Sequence, residues 1–277
     1  MTLSRRELLW LGGGACAPFV ARGAGAEEEA SPLPAPIAAL SAMTEGVAPI
    51  TADEHRARRA RAQALMAESG LDALVVGSGT SLTYFTGAQW GTSERLFAMV
   101  LTRDGEPAWV TPAFEKGRAL EQVGDAGDVR AWEEDESPYA LAASILRDRK
   151  AGGGRVGVEE TLPYVFVDGL ARAAPAARLE SGTAVTAGCR MIKDAHEVAL
   201  MRRAGEITVR AWRAVFASLR EGMTQAAVAG LASTALSRLG MKGGALVLFG
   251  PDAAFPHGTT RPRPLRQGDV VLVDGGG

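Results

Sequence analysis

From Asp53 to about Val185, short apolar runs alternate with amphipathic stretches, and that alternation leaves few folds open to the chain. Leu71–Val76, Leu96–Leu101, Ala108–Val110, Val129–Trp132 and Val156–Glu159 are short and rich in apolar or β-branched residues, so they read as strands. Between them Asp53–Glu68, Ala113–Val123, Pro138–Lys150 and Pro163–Ala173 read as helices. Asp53 is placed to cap the first of these, Gly70 closes it, and Pro138 suits a first helical turn. Arg103-Asp104-Gly105-Glu106 predicts a hairpin between two of the strands. Helices that alternate with strands cover a sheet, which predicts an α/β layer domain over residues 53–185.

Beyond Thr183 the pattern changes. Val198, Met201, Ala204, Ile207 and Ala211 recur at steps of three and four, predicting one long helix over Ala195–Leu219. A second helix runs from an N-cap at Thr224 to Leu239 and stops at Gly240. Leu246–Phe249 reads as a strand, and Val270–Val273 as another that delivers Asp274 to a strand end before Gly275-Gly276-Gly277. His257 stands between Pro256 and Gly258 in the loop joining them. Residues 186–277 thus form a second, α+β unit with little sheet for two long helices, so part of their apolar surface is expected to stay exposed.

Two domains suit a length of 277 residues, and 47% hydrophobic with 22% charged residues is the balance of a globular chain. A net charge of −2 gives no electrostatic footprint for nucleic acid or an anionic membrane surface. The basic run Arg56, Arg58, Arg59 and Arg61 reads as a solvated helix face, and His55 and His196 as surface positions. Ser4-Arg5-Arg6-Glu7-Leu8-Leu9, a weakly apolar stretch and Ala24-Gly25-Ala26 form a twin-arginine signal over 1–26, which predicts export to the periplasm. Gly12–Gly14 keep that stretch below the apolarity of a membrane span. Residues 27–52, with Pro32, Pro34, Pro36 and Pro49, read as a linker or loosely packed arm. Once the signal is removed Cys189 is the sole cysteine, without a basic partner other than Arg190, and reads as a small inert hydrophobe. The sequence offers no nucleophile elbow and no phosphate loop, hence no cofactor-binding residues, and Asp252 and Asp269 read as turn positions.

Phe255-Pro256-His257-Gly258, followed by Gly268–Gly277 with Asp274 seventeen residues after His257, is a specific combination. It resembles the pita-bread metallopeptidases, the family of Xaa-Pro aminopeptidases, prolidases, methionine aminopeptidases and creatinase. Arg190-Met191-Ile192-Lys193-Asp194, then Glu197 and Met201-Arg202-Arg203-Ala204, is similar to the opening of that family's catalytic domain. More weakly, Leu82–Gly87 resembles a strand-to-glycine motif of the creatinase-type N-terminal domain, and Val156-Gly157-Val158-Glu159 a later strand of it. The resemblance implies a mixed sheet flanked by helices, followed by an incomplete pita-bread domain. It implies that His257 lines the substrate pocket as a binding or proton-transferring group, and that Asp274 is the first ligand of a two-metal centre of Mn, Co or Zn. The family's other ligands, a second aspartate, a histidine and two glutamates, would fall beyond Gly277. One carboxylate cannot hold a catalytic ion, so the chain as given is expected to be a truncated, inactive form. The implied substrate is a peptide or dipeptide containing proline, and the family's frequent dimerisation implies a second copy as a partner. Two other readings stay open: a creatinase-like amidinohydrolase of the same fold, and a non-catalytic binding module or remnant.

Overall fold

The computed structural model describes residues 32–124, 127–255, 257–259 and 261–277; the twin-arginine segment and its cleavage site lie outside the described residues. In chain order come α1 (Ala35–Ala38), α2 (Ala52–Ser69), β1 (Ala73–Gly77), α3 (Thr80–Thr86), β2 (Ala98–Thr102) and β3 (Ala108–Pro112). Next are α4 (Lys116–Val123), β4 (Asp128–Trp132), α5 (Pro138–Asp148), β5 (Arg155–Val158), α6 (Tyr164–Ala173), β6 (Arg178–Ser181) and α7 (Thr183–Arg190). A second domain follows, built from α8 (Ala195–Phe216), α9 (Gln225–Arg238), β7 (Gly244–Phe249) and β8 (Val271–Gly276).

Strands β1 to β6 form one mixed sheet in the order β4-β3-β2-β1-β5-β6. The β1–β2 and β2–β3 pairs are antiparallel, and β3–β4, β1–β5 and β5–β6 are parallel. Alternation along the strands splits the apolar residues between two faces. Val75, Val100, Val110 and Val156 pack with Ile145, Leu146, Phe166 and Leu170 of α5 and α6. Leu74, Val76, Met99 and Trp109 pack with Met66, Leu82, Phe85 and Val185 of α2, α3 and α7. The expected α/β layer domain is present, with three local differences.

The first is at α2, where Thr51 is the N-cap in place of Asp53. Glu54 N–H donates to Thr51 Oγ1 at 3.2 Å while the Thr51 N–H donates to Glu54 Oε2 at 2.7 Å. This reciprocal box satisfies two orphan donors at once, leaving Asp53 to pair with Arg56 on the surface. The second is Leu82–Gly87, which is helical: it forms most of α3, ended by Gly87 at φ 79° with its N–H on the Thr83 carbonyl at 2.8 Å. The third is the basic run. Arg58 and Arg59 are each only 9% exposed, because they cap α3 in place of facing water. Arg58 Nη1 donates to the Tyr84 carbonyl at 3.1 Å and Arg59 Nη1 to the Phe85 carbonyl at 2.9 Å. His55 Nδ1 lies 3.0 Å from the same Tyr84 oxygen, which can only accept, so Nδ1 carries the proton. Positions 55, 58 and 59 share one face of α2, and together they satisfy carbonyls left orphaned at the negative end of α3. Burial lowers the His55 pKa, which keeps the ring neutral in this role.

Strand β6 and helix α7 have no counterpart in the sequence reading. β6 is an edge strand of sequence Arg-Leu-Glu-Ser, charged and half-exposed, without the apolar alternation that marks a strand. The Glu159 of the Val156–Glu159 motif lies just past β5, 4% exposed. It accepts from Ser81 Oγ at 3.0 Å, Thr161 N at 2.9 Å and Thr161 Oγ1 at 2.8 Å. Those bonds replace the water a buried carboxylate loses and join α3 to the end of β5.

Part of the arm is packed, although most of its described residues are exposed. Ile37 and Leu40 are buried with Ile207, Ala211, Leu236 and Phe249, so α1 belongs to the core of the second domain. Met43 N–H donates to the Leu239 carbonyl at 3.0 Å, and Arg238 Nη2 to the Ala38 carbonyl at 2.7 Å. From the first described residues the chain therefore runs along the second domain, crosses to build the first, and crosses back at Met191–Asp194. As anticipated, the second domain leaves apolar surface open. Ile207 and Ala211 of α8 are buried, but Val198 and Met201, on the first turns, are 42% and 59% exposed.

Gly87 carries two demands at once: a left-handed φ and contact with His55, since a Cβ there would stand 2.9 Å from Nε2. Gly87→Ala should therefore destabilise the first domain by about 1–3 kcal/mol, the range for a strained αL residue, read as a loss of denaturation midpoint at unchanged slope.

Candidate substrate and metal site

The two residues singled out for chemistry stand on the β7–β8 hairpin and its loop. β7 and β8 are antiparallel, with Leu246 opposite Asp274 and Leu248 opposite Leu272. Residues directly opposite share a face, so Leu246, Leu248 and the Asp274 carboxylate lie on one side of the ribbon. Asp274 is exposed. It stands inside β8, not at a strand end, because the ladder continues to Gly276 opposite Gly244. Glycine makes that extension possible: a Cβ on Gly275 would collide with the Gly244 carbonyl.

His257 is an exposed turn residue; its neighbour Pro256 lies outside the described residues. Gly258, at φ 88°, rests on the same ribbon face, where a Cβ would come 3.3 Å from Leu246 Cδ1 and 3.9 Å from Leu248 Cδ2. The His257 loop thus folds over the side that presents Asp274, and the two residues are brought to one face.

What holds the loop is further along it. Gly222 N–H donates to the Leu265 carbonyl and Leu265 N–H to the Met223 carbonyl, both at 2.8 Å, which ties the loop to the α8–α9 turn. Asp269 accepts at both oxygens from Arg263 Nη2 at 3.1 Å and from Arg266 N–H at 2.8 Å. Asp269 is therefore the turn residue it was read to be, and the arginine-rich loop supplies its partners. Asp252 sits in a 3₁₀ turn over Gly250–Ala254, again a turn position. A cleft of about 320 Å³ between the α8–α9 turn and this loop is lined by Leu219, Arg220, Leu265 and Arg266, but by neither His257 nor Asp274.

Among the described residues no three His, Cys, Asp or Glu side chains are grouped as an ion would require. The described residues therefore do not fit a complete divalent-metal site. Cys189 is buried and its thiol is pushed up to about 11 by that burial, which makes it the inert position expected.

A polar cluster between the domains escaped the sequence reading. Arg58 Nη2 donates to Glu197 Oε1 at 3.0 Å and the guanidinium lies 4.2 Å from the Tyr84 ring centre. Tyr84 Oη donates to the Cys189 carbonyl at 2.9 Å. His196 Nδ1 meets Glu54 Oε1 at 2.6 Å and Nε2 meets the Ala48 carbonyl at 3.1 Å. The only sequence signal was a basic i, i+3, i+4 set on α2 beside a helix ended by glycine.

Comparison with known proteins gives this geometry a context. The model of the creatinase/prolidase N-terminal domain matches residues 58–192, and that of metallopeptidase family M24 matches residues 199–277. The chain belongs to the creatinase/prolidase-type metallopeptidases. It is 33% identical over 232 residues to the probable dipeptidase PepE of Mycobacterium tuberculosis, covering 82% of this chain and 60% of that protein. The crystal structure of dipeptidase PepE from Mycobacterium ulcerans superposes with a TM-score of 0.74 at 31% identity, covering 83% of this chain and 62% of that one. Prolidase from Thermococcus sibiricus superposes at 0.72 with 25% identity, over 82% and 62% of the two chains. The chain thus spans about three-fifths of the length of these relatives. The expected pita-bread fold class is confirmed at the level of both domains.

With no group of three His, Cys, Asp or Glu side chains among the described residues, the 277-residue polypeptide should show no stoichiometric Mn²⁺ or Zn²⁺ binding tighter than about 1 μM, because tight sites take about three or four protein ligands. Titration calorimetry checks this, and a tight one-to-one isotherm would mean that the donor set is larger than Asp274.

Proposed function

We propose that this chain carries the N-terminal domain and the opening part of the catalytic domain of an exported peptidase that cleaves dipeptides or short peptides before proline. The observation that carries the reading is the convergence of His257 and Asp274 on one face of the β7–β8 ribbon, inside the segment that matches the M24 model. Dipeptidase and prolidase relatives support the substrate class. In this reading Asp274 contributes one carboxylate to a divalent-cation site whose other donors are not among the described residues. The His257 imidazole, carried by the loop that crosses the same face, donates to a substrate carbonyl oxygen or carries a proton at that atom. Arg5-Arg6 and Ala24-Gly25-Ala26 support export in folded form by the twin-arginine route.

In the protein as its gene encodes it, Asp274→Ala should abolish cleavage of an Xaa-Pro dipeptide and lower the bound metal. His257→Ala should leave metal content near wild type while turnover falls by about 100-fold or more, the scale of losing a positioned proton carrier or donor. Metal analysis alone then separates the ligand from the pocket residue. Loss of metal in the His257 variant, with retention in the Asp274 variant, would reverse the two roles. Full-length protein that binds proline peptides without cleaving them would leave the binding-module reading standing.

Export has its own test. Replacing Arg5 and Arg6 by lysine should hold the precursor in the cytoplasm, and fractionation showing unchanged export of that variant would remove the twin-arginine assignment.

A further inference from the structure

The junction between the two domains is joined by polar side chains. Buried apolar residues of the first domain and of the second fall into separate clusters, and among the described residues no apolar cluster spans the junction. The return crossing, Met191–Asp194, is exposed throughout and has no helix or strand of its own. The side-chain bonds that join the first turn of α8 to the first domain are therefore polar. Arg58 of α2 holds Glu197 at 3.0 Å, and Glu54 of α2 holds His196 at 2.6 Å.

Both ring nitrogens of His196 face atoms that only accept. Nδ1 meets the Glu54 carboxylate, and Nε2 meets the Ala48 carbonyl, on the outward crossing, at 3.1 Å. A neutral imidazole has one N–H and can satisfy only one of them, whereas the imidazolium satisfies both. Glu54 and Asp194, the N-cap residue of its own helix, are the charged groups that act on the ring. Their balance is negative, which favours the same protonated form.

We propose that His196, as imidazolium, clasps the two chain crossings together, and that its deprotonation loosens the angle between the domains. Its hydrogen bond to Glu54 raises the His196 pKa above the ordinary value, and the same bond with the Thr51 contacts holds Glu54 down to about 2. The sign follows. A histidine with a raised folded pKa contributes its full stabilisation below about 6.5, the unfolded value, and loses it as pH rises through the folded value. Glu54 stays ionised across that range, so His196 alone switches. Arg58–Glu197 is a second polar bond across the junction and keeps the domains attached.

The test uses the full chain with Cys16→Ser and spin labels at Ala171→Cys and Ala226→Cys, one exposed helical site on each domain. At pH 6 the distance distribution should be narrow, and at pH 9 the separated population should rise by about two- to fivefold, the scale of a partly exposed charge pair. Glu54→Gln, which keeps an oxygen for the Thr51 cap, should give the broad distribution already at pH 6. It should also return the NMR-titrated pKa of His196 toward the ordinary value. Melting of the first domain separates clasp loss from unfolding, and it should move little in this variant. Identical distributions at both pH values in the wild-type sequence, or a His196 pKa unmoved by Glu54→Gln, would overturn the proposal.

Discussion

The end of one short helix organises much of this molecule. α3 has seven residues, so the carbonyls of its last turn are a large share of its backbone. Left bare beneath α2, they would cost more than so short a helix can recover. Three side chains from a single face of α2 meet them: His55 and Arg58 at the Tyr84 carbonyl, Arg59 at the Phe85 carbonyl. Everything nearby follows from that arrangement. Gly87 must be glycine to turn the chain and seat the His55 ring. Arg58, drawn inward to the cap, points its second nitrogen at Glu197 of the next domain. The capping of α3 and the attachment of the domains are thus two ends of one guanidinium.

That arrangement also explains where the sequence could and could not be read. The sheet strands of the first domain, apart from β6, announced themselves, since Leu71–Val76 and Leu96–Leu101 are apolar enough to be buried on both faces. β6 did not, because an edge strand of Arg-Leu-Glu-Ser has neither alternation nor apolarity. Arg58 and Arg59 were misread for a different reason. A run of arginines on a helix is usually solvated, and only the position of α3, a tertiary fact, supplies the acceptors that draw them in. The proline-rich arm misled in the same way: Ile37 and Leu40 are two apolar residues among prolines and alanines, and their core lies about 170 residues further along the chain. Local pattern carries local structure; it does not carry partners.

The candidate site divides along the same line. His257 and Asp274 were legible because each stands beside glycine, and the backbone geometry accounts for those glycines. Gly258 lies flat on Leu246 and Leu248, and Gly275 lets β7 approach β8. What sequence spacing alone could not supply was the shared face. That comes from the register, which sets Asp274 opposite Leu246, and from the loop that crosses the same leucine. A slip of one residue in the hairpin would send Asp274 to the opposite side and part it from His257. The register in turn rests on the long loop being pinned twice, at Leu265 by the α8–α9 turn and at Asp269 by Arg263 and Arg266. Asp269, an unremarkable turn residue in the sequence, is on this view the residue that keeps the site assembled.

One consequence concerns how the two domains respond to each other. The arm before α2 is part of the second domain's core, yet its last residues, Ala48 to Thr51, lead directly into the capping box of α2. Thr51 and Glu54 close that box, and the same Glu54 holds His196, whose helix has its own box between Asp194 and Glu197. Two helix N-termini, one from each domain, are therefore capped by residues that also bridge between them. Carboxylates at helix N-termini are favoured by the helix dipole whatever else they bind, so Glu54 and Glu197 are held in place before the domains meet. A preorganised carboxylate loses little side-chain entropy when its partner arrives, and this is how a partly exposed bond such as His196–Glu54 can still help join the two domains.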